Sequence, residues 1–284
     1  MNLTDRIYLA VHFALTLLIC VRFAQVEHGP WYLAWNVVAI AAIPFLARKR
    51  NDGPLWDFAH DWLPLLLFTS VFEEVSFLSL SLRGAWQNPT LIAWESALFA
   101  VPPGVWLRGY TARWFTELLD FGYFTFFPLY PAVAGVLWAW RRRPRFSGAF
   151  RRLTDSLSVG YAVCYSVYLL FPTRSPSDNI SLTSATKANG AGGPFRALVR
   201  LVQAHAGVHG NAFPSAHIML AFVVLVFVFR YLPRLAPWLL ACVLLMCVGA
   251  VYDGYHYTID VLAGGMLGVV VGALFVKLDG RSIE

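Results

Sequence analysis

Apolar positions along this chain fall in long unbroken runs, not in the alternation of a half-buried strand or the one-faced stripe of a soluble helix. Runs of about 20 apolar residues are long enough to cross a bilayer as helices. Eight lie at roughly 7–26, 31–47, 62–82, 116–140, 153–171, 214–231, 236–252 and 257–276. The pattern predicts an all-α fold, a polytopic membrane helix bundle of about eight spans. The stretch 88–110 is aromatic and broken by Pro102-Pro103, which predicts an interfacial or re-entrant segment. The first run is followed by Arg22, Glu27 and His28 without a small-residue cleavage site, so it reads as a spanning helix and not a signal peptide.

Composition agrees with the pattern. With 58% hydrophobic and only 13% charged residues, the chain has too little charge to cover a soluble surface. Cys20, Cys164, Cys242 and Cys247 all sit in apolar windows without metal-site or disulfide spacing, and read as small core residues. The net charge of +6 does not call for a nucleic acid, because basic residues of a membrane protein mark its cytoplasmic loops. With the N-terminus inside, the inner segments hold Arg6; Arg48, Lys49 and Arg50; Arg141, Arg142, Arg143, Arg145, Arg151 and Arg152; Arg230 and Arg234; Lys277 and Arg281. These are 14 of the 22 basic residues, mostly in short loops. Both termini are then expected in the cytoplasm of a cell or inner membrane. The ends of spans five and seven and the starts of spans six and eight face out.

Candidate chemistry falls at those outer ends. Span six opens Asn211-Ala212-Phe213-Pro214-Ser215-Ala216-His217. Proline suits a first helical turn, and the amides of Ser215, Ala216 and His217 then offer a phosphate site at the positive end of the helix dipole. The same segment also fits an ordinary capped helix start with a spare histidine. Span eight opens Tyr255-His256-Tyr257-Thr258-Ile259-Asp260. His256 and Asp260, four apart, share one helical face, and a carboxylate beside an imidazole fixes its tautomer and sharpens its free nitrogen. No charged residue lies between Asp260 and Lys277, so Asp260 needs a partner or a wet cavity; a purely structural His–Asp pair would also serve. Span five ends Phe171-Pro172-Thr173-Arg174-Ser175-Pro176. Arg174 either snorkels to headgroups or binds phosphate oxygens with its fork. Together the four groups form a site hypothesis.

At these residues the sequence resembles the type 2 phosphatidic acid phosphatase superfamily. Pro214-Ser215-Ala216-His217 looks like its second motif. His256 with Asp260, followed by Val261-Leu262-Ala263-Gly264, looks like its third. The likeness covers roughly 153–276 and divides the chain into an N-terminal membrane region, 1–115, and a catalytic membrane domain, 116–284. The usual first motif, a lysine and an arginine before a proline, is not intact. Arg174 in Pro-Thr-Arg-Ser-Pro is its nearest equivalent, as in the Aur1-type inositolphosphotransferase branch. Ala250 stands where phosphatases of the superfamily usually carry arginine, and Gly254 where the Aur1-like branch often has one. Asp61-Trp62-Leu63-Pro64-Leu65-Leu66, Glu73-Glu74, Glu95-Ser96-Ala97-Leu98 and Asp120-Phe121-Gly122-Tyr123 add a weaker likeness to that branch.

The resemblance implies attack by His256 on the phosphorus of a lipid phosphoester, with formation of a phosphohistidine. Asp260 steadies His256, His217 protonates the leaving alkoxide, and Arg174, Ser215 and the amide of Ala216 hold the phosphate oxygens. It implies no cofactor and no metal. Its partners are the lipid phosphoester and membrane lipids, and the acceptor is water or an alcohol. Three alternatives stay open. His205 and His209 are spaced to ligate zinc. A transporter would line a pathway with Glu73, Glu74 and Asp260, although no inverted repeat is evident. A catalytically silent lipid-binding relative would keep the same fold. Gly264, Gly268 and Gly272 read as a helix-packing stripe.

Overall fold

A computed structural model describes residues 1–26, 28–110, 112–178, 193–206 and 210–280. Helices appear at all eight expected places, and no strand occurs among the described residues. The described α-helices are α1 (Leu3–Val21), α2 (Gly29–Lys49), α3 (Pro54–Arg83), α4 (Asn88–Leu98), α5 (Pro103–Leu107), α6 (Arg113–Phe124), α7 (Phe126–Ala139), α8 (Ala149–Leu170), α9 (Pro194–Ala206), α10 (Ala216–Tyr231), α11 (Ala236–Tyr252) and α12 (Thr258–Gly280).

Among the described residues, five segments are long and apolar enough to cross a membrane: α1, α2, Pro54–Ser79 of α3, α6 with α7, and Thr258–Leu278 of α12. Phe13, Leu17, Val37, Val38, Val270 and Leu274 project from α1, α2 and α12 into the surroundings, as lipid-facing side chains do. The expected eight spans are thus matched in part. α10 and α11 are apolar but shorter, at 16 and 17 residues, about 24–26 Å against a hydrocarbon core of about 30 Å. α8 has the length, but Arg151, Arg152, Asp155 and three serines reduce its apolarity. The expected span 116–140 is two helices that part at Thr125. Pro128 has no N–H to give the carbonyl of Phe124, which breaks the ladder there.

α8 organises the molecule. It packs on α1 and α3 of the N-terminal region and on α10 and α12 of the C-terminal region. Tyr161, Cys164, Tyr165 and Tyr168 line its buried face. α12 lies close along α10 because glycines face it. A Cβ on Gly264 would collide with the Ser215 carbonyl, and one on Gly268 with the Met219 carbonyl. The glycine stripe therefore packs helix on helix. Of the cysteines, only Cys164 is buried; Cys20 is exposed on α1, contrary to the expectation that all four are core residues. Its apolar window is a lipid-facing helix, where an exposed small side chain costs little.

Candidate active site

Ser215 caps α10, its Oγ accepting from the amide of Ile218 at 3.3 Å. Tyr168 of α8 fixes the approach to this helix. Its hydroxyl donates to the Pro214 carbonyl at 2.7 Å and accepts from the Ala216 amide at 3.2 Å. The Ser215 amide donates to the Asp260 carbonyl at 3.1 Å, joining the starts of α10 and α12 directly. Of the three amides read from the sequence as phosphate donors, those of Ser215 and Ala216 are therefore already spent within the protein. Helix ends buried in a membrane protein must satisfy such groups internally.

His256 lies just before α12 and is almost wholly buried. Its Nδ1 is 3.1 Å from the Ala212 carbonyl, which can only accept, so Nδ1 carries the proton. Nε2 is left with its lone pair and lies 3.0 Å from the Ser215 hydroxyl. Burial pulls the His256 imidazole down to about 4, partly offset by the bond to Ala212, so it is neutral at neutral pH. The result is an oriented imidazole with a free nucleophilic nitrogen.

Asp260 does this work less directly than the sequence pattern implies. Its Oδ2 is 3.5 Å from His256 Nδ1, an ion-pair distance outside hydrogen-bond geometry. That same oxygen accepts from the Tyr257 amide at 2.8 Å, while Oδ1 is buried without a hydrogen-bond partner. A carbonyl orients the ring, and the Asp260 carboxyl stands beside it.

The His217 ring lies 6.0 Å from that of His256, centroid to centroid. Phe72 and Phe126 meet it edge to face at 5.8 and 4.6 Å. Arg174 follows α8 on a strap sewn to its surroundings. The Asn88 side chain holds both its amide and its carbonyl at 2.9 Å and also donates to the Tyr257 hydroxyl at 3.2 Å. Ser177 N donates to the Gly254 carbonyl at 2.9 Å, and Ala212 N to the Thr173 carbonyl at 3.2 Å. The strap thus borders the loops of both histidines. The Arg174 guanidinium stacks over Trp86 at 4.5 Å, and its Nε is buried without a partner. The second zinc-spacing histidine, His209, and the His205 side chain lie outside the described residues. Glu73 is exposed, whereas Glu74 is sealed against Asn36 at 2.7 Å, so the two do not share a path.

Several participants lie outside the two histidine motifs. Glu95 of α4 accepts from the amides of Thr258 and Ile259 at 3.1 and 2.9 Å, capping α12. Arg108 joins His256, Glu95 and Tyr257 around a cavity of about 90 Å³ whose other walls, Ile92, Val105 and Val251 among them, are apolar. Arg196 of α9 holds Asp120 and Asp253 at 2.7 Å each, anchoring the turn that leads to His256. Burial opposes the charge on Arg196, but Asp253 and Asp120 outweigh it and keep its affinity for the proton high. The signal for Glu95 was an acid in an otherwise apolar stretch. Nothing in the sequence paired Arg196 with Asp253.

A family model described as the PAP2 superfamily matches residues 89–274. No curated protein and no solved structure matches the chain.

Proposed function

The chain belongs to the PAP2 superfamily, and from that premise we propose that it transfers a phosphoryl group from a membrane lipid phosphoester through a phosphohistidine at His256. One observation carries the proposal. The Ala212 carbonyl accepts a hydrogen bond from Nδ1–H of a buried, neutral imidazole, which leaves the Nε2 lone pair free to attack, with a second imidazole 6.0 Å away.

Nε2 attacks phosphorus in line with the leaving oxygen. The P–O bond to the lipid alcohol breaks as the N–P bond forms, and His217 gives the departing alkoxide its proton. His217 then takes a proton from the acceptor, whose oxygen displaces His256 and restores the imidazole. Asp260 balances the positive ring during the phosphohistidine stage. Ser215 leaves Nε2 and turns its hydroxyl to the phosphate, and Arg174 offers its fork. His256 borders an apolar cavity beside the interfacial helices α4 and α5, which fits a substrate with acyl chains.

Water as acceptor makes the protein a lipid phosphatase. An alcohol makes it a phosphotransferase of the Aur1 type, which Arg174 in Pro-Thr-Arg-Ser-Pro favours. The protein brings its own nucleophile and cations, so the reaction is proposed to run without a metal, at the outer face of an eight-span bundle. The test is to quench turnover of a ³²P-labelled lipid phosphoester in detergent with EDTA present and map the label. Acid-labile phosphate on His256 is expected. Label on another residue, or turnover that needs zinc or magnesium, overturns the proposal. Adding inositol and looking for a new phosphodiester separates transfer from hydrolysis.

A further inference from the structure

A cavity of about 220 Å³ lies far from the histidines. It lies at the opposite end of α8, where Thr154 lines it while Tyr168 serves the candidate active site; the helix rise puts about 20 Å between them. A water takes about 30 Å³, so the space holds several times that volume. Three arginines from three segments face it: Arg50 after α2, Arg141 after α7 and Arg151 on α8.

Two carboxylates share the lining, and each has one oxygen bonded elsewhere while the other faces an arginine at long range. Asp155 accepts from the amide and hydroxyl of Thr4 at 3.1 and 2.7 Å. Asp61 accepts from the Trp138 indole at 2.9 Å. Arg50 reaches Asp61 only at 3.6 Å and Arg151 reaches Asp155 only at 3.7 Å, well beyond the roughly 2.7–2.9 Å of a charge-assisted hydrogen bond. Arg141 lies flat on Trp138 at 3.7 Å and spends one Nη1 on the Trp138 carbonyl. His60 uses Nε2 on Asp5 at 3.1 Å, and its Nδ1 stands 3.6 Å from Asp61 without a hydrogen bond. Guanidinium forks with unspent donors around a cavity match an oxyanion with several acceptors.

We propose that this cavity binds a phosphate-type oxyanion, presented by the headgroup of an anionic phospholipid or as free phosphate. The basic run Arg142, Arg143 and Arg145 follows Arg141 in the chain and raises the local concentration of either. Bound there, the anion ties the N-terminal helices α1, α2 and α3 to α8. The site stands independently of the chemistry proposed for His256.

The experiment follows the thermal midpoint of the full chain in detergent during titration with phosphatidylglycerol, with phosphatidylcholine, or with inorganic phosphate. A saturable rise with phosphatidylglycerol is expected. A rise with phosphatidylglycerol alone assigns the lipid headgroup, and an equal rise with phosphate assigns the free oxyanion. Half-saturation should weaken by roughly tenfold or more in Arg141→Gln and in Arg151→Gln, and hold in Arg174→Gln. Arg151→Lys keeps charge and stem but not the fork, guards against misfolding, and should bind several-fold more weakly. No rise with either anion, a rise equal for phosphatidylcholine, or one that survives both glutamine variants overturns the proposal. So does a rise lost only in Arg174→Gln, or unchanged affinity in Arg151→Lys.

Discussion

His256 pays for its orientation with burial, and that has a measurable consequence. The imidazole is held at about 4 in the folded protein against about 6.5 in an unfolded chain. A depressed value favours the neutral form. The stability it contributes is fully present above about pH 6.5 and is lost as pH falls through about 4. The loss amounts to about 3 kcal/mol once both states are protonated. The thermal midpoint of the wild type should drop more steeply from pH 7 to 4.5 than that of His256→Gln, and parallel curves would show that the ring is not held neutral. His217 has a different task and a different signature. His217→Gln should keep label incorporation at His256 from an activated nitrophenyl phosphodiester, yet lose most turnover, roughly 10²–10⁴-fold, on a lipid alkoxide leaving group. Equal losses on both substrates would remove the acid from His217. The histidines and Asp260 were legible because each sits beside a helix start, where periodicity sets the spacing. The Ala212 carbonyl was not, since a backbone acceptor leaves no trace in residue type.

At the scale of elements, the site is a junction of helix starts held by close packing. Gly264 lies against the Ser215 carbonyl, whereas a Cβ on the adjacent Gly265 would meet the Phe222 ring at 3.2 Å. Backbone cannot yield as a side chain can. Gly264→Ala should therefore cost about 1–3 kcal/mol and most of the activity by displacing Ser215, while Gly265→Ala retains most of both. Measuring midpoint and turnover of the pair decides it; the reverse ranking would mean that α10 and α12 do not meet as described. Glu95 is the second fastener. Glu95→Ala leaves two amides of α12 uncapped, for about 1–2 kcal/mol by the usual worth of a cap. Apolar runs announced the long helices, and the glycine spacing announced their packing. Amphipathic α9, with its buried Arg196, went unread because one short polar-faced helix among apolar runs looks like a loop. The break at Thr125 went unread although Pro128 encodes it.

On the scale of the whole molecule, polarity is divided between two ends. Thr173, Ser215, His256 and Asp260 gather at one end of α8, and Arg50, Arg141 and Arg151 at the other. An arginine-lined end is expected toward the cytoplasm by the bias of basic residues, which sends the histidines outward. Two exposed positions report on the two ends. Ala85 follows α3 next to Trp86, on which Arg174 stacks, and Asp52 lies between α2 and α3 near Arg50. With the exposed Cys20 replaced by serine, Ala85→Cys should react with a membrane-impermeant maleimide in intact cells. Asp52→Cys should react only after permeabilisation. A lipid phosphoester of the outer leaflet would then meet His256 without crossing the bilayer. The opposite labelling pattern would turn the bundle over and move the chemistry to the cytoplasmic leaflet, with the histidine geometry unchanged. Labelling of both positions in intact cells would contradict the placement of α3 as a span, because Pro54–Ser79 is the only stretch that separates the two.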